Sequence, residues 1–201
     1  MCKTVNYSKP VILAICGKSA TGKDSLAKWL YQDLDKKGYL CNLIISDTTR
    51  PMRENEKNKI DYNFISEENF KMKILKKQYL EYSTFRGWFY GTPMNSINQG
   101  INIGVFNPEG IKSLIAYRRK YIIVPIYLET TNPIIRLQRS RDREGRWKIQ
   151  YFRRLFADWK DFFNFYKVLD KFRVCLTLEN YSGVITESRE VYKYLRYLGV
   201  M

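Results

Sequence analysis

The sequence predicts an α/β domain with a parallel sheet flanked by helices, and three observations at its start predict it. The apolar run VILAIC, Val11 to Cys16, lies between Pro10 and Gly17 and suits a buried parallel strand better than a helix. GKSATGKDSL, Gly17 to Leu26, follows at once, with two glycines and a lysine at the spacing of a phosphate-binding loop. Beyond it Leu26, Trp29, Leu30 and Leu34 recur at helical spacing as far as a stop near Lys37-Gly38, and YLCNLIIS, Tyr39 to Ser46, reads as a second strand. Strand, glycine loop, helix and strand make a βαβ unit.

Residues 47–97 break this rhythm: the polar DTTRPMRENEKNKIDYNFIS precedes a helical EENFKMKILKKQ and a strand-like aromatic YLEYSTFRGWFYGTP. This pattern predicts an inserted mixed α/β lobe. The α/β order then resumes. INIGVF is a strand, PEGIKSLIAYRRK a helix with Pro108 in its first turn, and YIIVPIYLE a strand. A helix from Pro133, an arginine-rich stretch, a long amphipathic helix around Tyr151 to Leu169, a strand RVCLTLE and a helix near Glu187 to Leu198 complete the chain. One domain is expected, its core formed by residues 8–46, 98–135 and 150–201.

Composition narrows the chemistry. No run of some eighteen apolar residues occurs and MCKTVNYSKP does not resemble a leader, so a cytoplasmic chain without membrane contact is expected. The four cysteines, Cys2, Cys16, Cys41 and Cys175, form no CxxC pair, and the chain has no histidine. Disulfide frameworks, most zinc sites and Ser-His-Asp or Cys-His catalysis are therefore poor candidates. The formal net charge of +15 asks for an anionic partner. Eight basic residues crowd between Arg136 and Arg154, too local a cluster to be only a solubility device. A nucleic-acid partner is not expected, because no reader motif accompanies the charge.

The loop has a physical logic. Successive backbone N–H groups point at phosphate oxygens and the helix N-terminus adds partial positive charge, so Gly17, Lys18, Ser19, Ala20, Thr21, Gly22, Lys23, Asp24 and Ser25 are the expected ATP-binding residues. Gly17 and Gly22 allow close approach, and Lys23 reaches the terminal phosphates. Asp24 stands where such loops carry a Mg²⁺-binding serine or threonine, and Ser25 is rotated about 100° around the helix from that position. A carboxylate is a favoured Mg²⁺ ligand, so Asp24 is the expected metal residue. The G-K-D ending also resembles the loops of some phage deoxynucleotide kinases.

SDTTRPMRENEKNKIDYNFIS, Ser46 to Ser66, then YLEYSTFRGWFYGTP, Tyr79 to Pro93, and then the arginine-rich stretch follow the phosphate loop in an order that closely resembles the guanylate kinase family. The resemblance covers most of the chain and implies a P-loop NTPase-type sheet, a nucleoside-monophosphate-binding lobe at 47–97 and an arginine-rich lid at 136–150. It implies that Ser46, Arg50, Arg53, Tyr62 and Tyr90 bind the acceptor phosphate, that Glu81 reads guanine, and that Thr92 assists. Forked arginines suit a phosphate dianion, and a carboxylate accepts from guanine N1–H and its 2-amino group together. Lys23 with Arg136, Arg139, Arg141 and Arg153 or Arg154 would neutralise the transferring group. ATP would be the donor, Mg²⁺ the cofactor, and GMP or dGMP the acceptor. Direct in-line transfer needs no protein base, because the acceptor oxygen is already anionic.

One departure bears on specificity. VFNPEG, Val105 to Gly110, replaces the family's acidic D-x-D-x-Q-G stretch, which puts Asn107 where a carboxylate is expected near the base. A broader deoxynucleoside monophosphate kinase and an inactive phosphopeptide-binding module of guanylate kinase type are the alternatives. The intact loop glycines, Lys23 and the arginines speak against the module.

Overall fold

The computed structural model describes residues 9–54, 56–130, 132–144, 150–172, 175–180, 184–197 and 199, with 143–144, 150–154 and 184–187 described by backbone alone. The core elements are β1 (Val11–Cys16), α1 (Lys23–Lys36) and β2 (Cys41–Leu43), followed by a lobe of β3 (Asp47–Thr48), β4 (Asn63–Phe64), α2 (Glu67–Leu75), β5 (Tyr79–Phe85) and β6 (Trp88–Pro93). The core then continues through β7 (Ile101–Val105), α3 (Pro108–Leu114), β8 (Ile122–Glu129), α4 (Pro133–Glu144), α5 (Gln150–Asp161), α6 (Tyr166–Leu169), β9 (Leu176–Glu179) and α7 (Val184–Tyr197).

The core sheet is parallel throughout in the order β2-β7-β1-β8-β9, with Val11 paired to both Ile101 and Ile122. Every residue of β1 is buried, because the sheet is covered on both faces. Val11, Leu13 and Ile15 pack with Leu26, Leu30 and Leu34 of α1 and Val191 and Leu195 of α7. Ile12, Ala14 and Cys16 point the other way, towards Ile111 and Leu114 of α3 and Phe162, Phe165 and Leu169. No helix among the described residues is long and apolar enough to cross a membrane.

Two expectations needed adjustment. The strand read over Tyr39 to Ser46 is only Cys41–Leu43, with the Ile44 amide still donating to the Ile103 carbonyl at 2.8 Å, because the chain leaves the core sheet to enter the lobe at Asp47. The long helix read over Tyr151 to Leu169 is two helices, broken where Asn164 takes a left-handed φ of 56°.

The lobe is a four-stranded sheet in the order β4-β3-β6-β5, and its aromatic stretch is a hairpin turning at Arg86 (φ 54°) and Gly87 (φ 81°). α2 starts at Ser66, whose side chain accepts from the Asn69 amide, with Glu67 and Glu68 facing the helix dipole. It buries Phe70, stacked on Tyr79 at 4.6 Å and Phe89 at 5.3 Å between ring centroids. Beneath these rings the wholly buried Asp47 accepts from Lys73 Nζ at 2.6 Å, the Tyr79 hydroxyl at 2.8 Å and Asn63 Nδ2 at 2.9 Å. Phe70→Ala is expected to destabilise the protein by about 3–5 kcal/mol through the cavity left among these rings. Urea denaturation checks this, and a loss under about 1 kcal/mol would show that the lobe collapses around the gap.

Candidate active site

The phosphate loop leaves the C-terminal end of β1, where a parallel sheet offers its ligand crevice. Gly22 caps α1 at φ 92° and Ala20 also takes a left-handed φ of 61°, so the backbone folds back on itself between them. Asp24 lies in the first turn of α1, where the dipole favours a negative charge. The loop is braced from behind. Thr21 is buried and its hydroxyl donates to the Lys18 carbonyl at 3.0 Å, while Asn180 Nδ2 donates to the Thr21 carbonyl at 2.9 Å. Arg139 Nη2 donates to Asn180 Oδ1 at 3.1 Å, so it reaches the loop through Asn180. Lys23 Nζ rests on the Lys18 carbonyl at 3.3 Å.

In front of the loop lies a carboxylate. Asp158 of α5 is 1% exposed and accepts from the Ser19 amide at 2.9 Å and the Ser19 hydroxyl at 3.0 Å. Arg136 Nη1 of α4 donates to the same carboxylate at 3.2 Å, and Arg86 Nη2, from the tip of the β5–β6 hairpin, at 2.7 Å. Among the described residues Arg136 Nε and Arg139 Nη1 are buried without a hydrogen-bond partner.

The lobe faces this loop with a second cationic site. Arg50 Nη2 donates to Glu56 Oε1 at 2.8 Å, and Arg53 reaches that oxygen at 3.4 Å and gives its amide to Oε2 at 2.9 Å. Burial works against the Arg50 charge, and Glu56 more than offsets it, raising the pKa. Burial likewise opposes the Glu56 charge, yet Arg50 and the Arg53 amide hold its carboxyl below the usual range. The Arg50 guanidinium lies 5.5 Å from the ring centres of both Tyr62 and Phe64, and Tyr62 meets Tyr90 edge-on at 6.0 Å. The Tyr62 hydroxyl is pushed well above its ordinary pKa by burial, then by the Asp24 carboxylate. Asp24 thus stands on the side of α1 that faces Tyr62, and Lys28 of α1 ties the lobe down through Asp61 at 2.6 Å.

A buried carboxylate lies at the far end. Glu81 is 8% exposed and accepts from the Thr92 hydroxyl at 2.6 Å. Burial raises its pKa to about 7, with the Thr92 hydroxyl and amide pulling the other way. Gly110 of α3 abuts it so closely that a Cβ there would stand 2.9 Å from Glu81 Oε2. Asn107 lies beside them. Its Oδ1 accepts from the Gly110 amide at 2.8 Å as the cap of α3, and its Nδ2 donates to the Ser83 hydroxyl at 2.7 Å.

Among the residues singled out from the sequence, the loop, Arg136 and Arg139 gather on one side, and Arg50, Arg53, Tyr62, Tyr90, Glu81, Thr92 and Asn107 on the other, with partly buried Ser46 immediately before β3. Arg141 is exposed and bonds its neighbour Asp142 at 2.9 Å. The side chains of Arg153 and Arg154, and residues 145–149 of the stretch read as a lid, lie outside the described residues. Glu56, Arg86, Asp158 and Asn180 were not foreseen. Only Glu56, three residues after Arg53, left a local signal.

A parallel sheet whose first strand runs into a phosphate loop, faced by a lobe with paired arginines and a buried carboxylate, defines an α/β P-loop protein. The family described as guanylate kinase matches residues 7–154, and the chain belongs to the guanylate kinase family. Guanylate kinase of Prochlorococcus marinus subsp. pastoris is 42% identical over 93 residues, 46% of this chain and 48% of that protein. Guanylate kinase of Sulfurimonas denitrificans is 35% identical over 100 residues, 50% of this chain and 47% of that one. Guanylate kinase of Thermotoga maritima is 30% identical over 146 residues, 68% of each chain. The first two matches thus span about half the length of those relatives. The fold is similar to that of guanylate kinase from Anaplasma phagocytophilum, with a TM-score of 0.65 and 17% identity across 97% of this chain and 89% of that one.

Proposed function

We propose that the chain is an ATP-dependent nucleoside monophosphate kinase that phosphorylates GMP and dGMP in the cytoplasm. The observation that carries this reading is Glu81, a buried carboxylate in a strongly basic chain, placed beyond two tyrosines and two arginines that face a phosphate loop. A carboxylate there accepts from guanine N1–H and the 2-amino group; adenine offers no such donor pair and leaves a buried charge unmatched. Arg50 and Arg53 exchange Glu56 for the acceptor phosphate, and the hydroxyls of Tyr62 and Tyr90 add neutral bonds. The acceptor oxygen attacks in line, so these side chains act by alignment and charge neutralisation. Lys23, seated in the loop, and Arg136, buried against the Asp158 carboxylate that also takes Ser19, supply the positive charge on the donor side.

A hard divalent cation such as Mg²⁺ fits the donor set. Asp24 is an exposed carboxylate facing the acceptor lobe, and one carboxylate with phosphate oxygens and water is a usual Mg²⁺ environment. When bound, the ion would neutralise charge on the terminal phosphates. Among the described residues no group of three or more His, Cys, Asp or Glu could hold an ion without substrate.

A second reading, broader base specificity, has no observation in its favour, since the Asn107 amide group is committed to Ser83 and to the α3 cap. The test is Mg²⁺-dependent ADP formation with GMP, dGMP, AMP, dTMP and dCMP offered separately. Turnover with GMP and dGMP alone supports the first reading, turnover with several bases the second, and turnover with none returns the phosphopeptide module to the front. In the same assay Asp24→Asn is expected to lower kcat about 10²-fold and to raise the Mg²⁺ concentration needed for half activity. Wild-type rate and Mg²⁺ dependence in that variant would remove Asp24 from the metal site.

A further inference from the structure

Ser19 offers its amide and hydroxyl to an anion, and Arg86 and Arg136 converge on the same point. That donor set matches a phosphate, and here it is satisfied by Asp158, a carboxylate of the chain itself. The contact joins three parts of the molecule: the loop after β1, the helix pair α4 and α5, and the tip of the lobe hairpin. Arg86 is the only one of the four residues on the acceptor lobe. Its Nη2 also reaches the Ser19 hydroxyl at 3.3 Å, so the guanidinium lies at the loop itself as well as at its carboxylate.

We infer that Asp158 is an internal placeholder for the terminal phosphate of the donor nucleotide, and that Arg86 is a further catalytic residue which passes from Asp158 to that phosphate when ATP binds. This rests on the kinase reading. A terminal phosphate reaching the Ser19 amide and a carboxylate on the same amide would be two anions in contact at a water-poor site, so one displaces the other. The phosphate carries more charge and more acceptor oxygens, and the arginines stay with it. Before nucleotide arrives, Asp158 keeps the buried Arg136 matched and holds Arg86, and with it the lobe hairpin, against the loop. Asp158 therefore acts as a positioning residue through the two arginines, and it sets a cost on ATP that ADP, lacking the terminal phosphate, escapes.

The test begins with binding of ATP and of ADP, measured by calorimetry without acceptor, so that it reads independently of turnover. Asp158→Asn is expected to bind ATP about tenfold more tightly, as when an occluded fraction of about nine-tenths is released, with ADP changed less than about twofold. Equal or weaker binding of both nucleotides would overturn the placeholder role. Should Asp158→Asn not fold, Arg86→Ala decides, since residue 86 sits at an exposed hairpin tip. Its ATP affinity is expected to fall relative to ADP. Its kcat with GMP should drop about 10²- to 10³-fold with KM for GMP within about threefold, and Arg86→Lys should recover part of the loss. An unchanged ATP-to-ADP ratio together with an unchanged kcat in Arg86→Ala would refute the inference. If the wild-type protein turns over no monophosphate at all, the kinase reading fails, while the binding ratios still report on Asp158.

Discussion

Glu81→Gln is expected to lower kcat/KM for GMP by about 10³-fold, because a site built to pair with a substrate's donors loses most when its own groups stop matching. Glutamine can accept from one guanine donor, but its NH₂ group then faces the other. AMP gains by comparison, since an amide can pair with adenine's donor and acceptor, so the ratio of GMP to AMP turnover should collapse. The same substitution carries a pH signature. The Glu81 carboxyl is pushed up to about 7 by burial, from the ordinary glutamate value of 4.5. A carboxyl whose folded pKa lies above its unfolded pKa favours the folded state least when ionised. Stability is therefore lost as pH rises from about 4.5 and levels off above about 7, the difference amounting to about 3 kcal/mol. Glu81→Gln should abolish that part of the slope, matching the wild type at low pH and exceeding it in stability above neutrality. GMP binding runs the opposite way, because only the ionised carboxylate accepts both guanine donors, so KM for GMP should fall as pH rises through 7. Parallel stability curves for the two proteins across this range would show that Glu81 titrates normally.

Much of the site was legible because its residues lie in two short stretches. The loop glycines and Lys23 come from Gly17 to Ser25, where spacing alone marks a phosphate loop, and Arg50, Arg53, Glu81 and Thr92 come from Ser46 to Pro93, where the resemblance to the guanylate kinase family marks them. Asn107 was placed near the base on the same grounds, yet its main engagement is as cap of α3. An asparagine before Pro108 and three residues before a buried glycine already reads as a helix start. What stayed hidden depends on distance in sequence. Asp158 lies 139 residues from Ser19, on a helix whose pattern shows only an amphipathic face. Arg86 looked like one charge in an aromatic strand. Its contact with Asp158 arises only because the stretch folds into a hairpin that turns at Arg86-Gly87 and carries the tip to the loop.

Gly17→Ala should cause a comparable loss of function by a purely steric route. A Cβ at this position would stand 2.2 Å from the Leu128 carbonyl oxygen, 2.9 Å from Thr21 Oγ1 and 3.2 Å from the Leu128 carbonyl carbon. Two of those atoms are backbone of β8, which pairs with both β1 and β9 and is buried at Leu128, so they have no side-chain rotation by which to yield. The strain must be taken up either by the sheet or by the loop. Taken up by the sheet, it costs about 1–3 kcal/mol, as overpacking of a close-packed interior does, and lowers Tm by several degrees for a domain of this size. Taken up by the loop, it moves the amides that face phosphate, and ATP affinity should fall at least about tenfold. Gly87→Ala is the matched comparison. No atom lies within 4 Å of its Cβ position, so only the left-handed φ of 81° opposes it, at about 1 kcal/mol. Thermal unfolding and ATP titration of both variants separate close approach from backbone conformation as the reason for glycine. Wild-type Tm and ATP affinity in Gly17→Ala would mean that β8 and the loop part more easily than their burial implies.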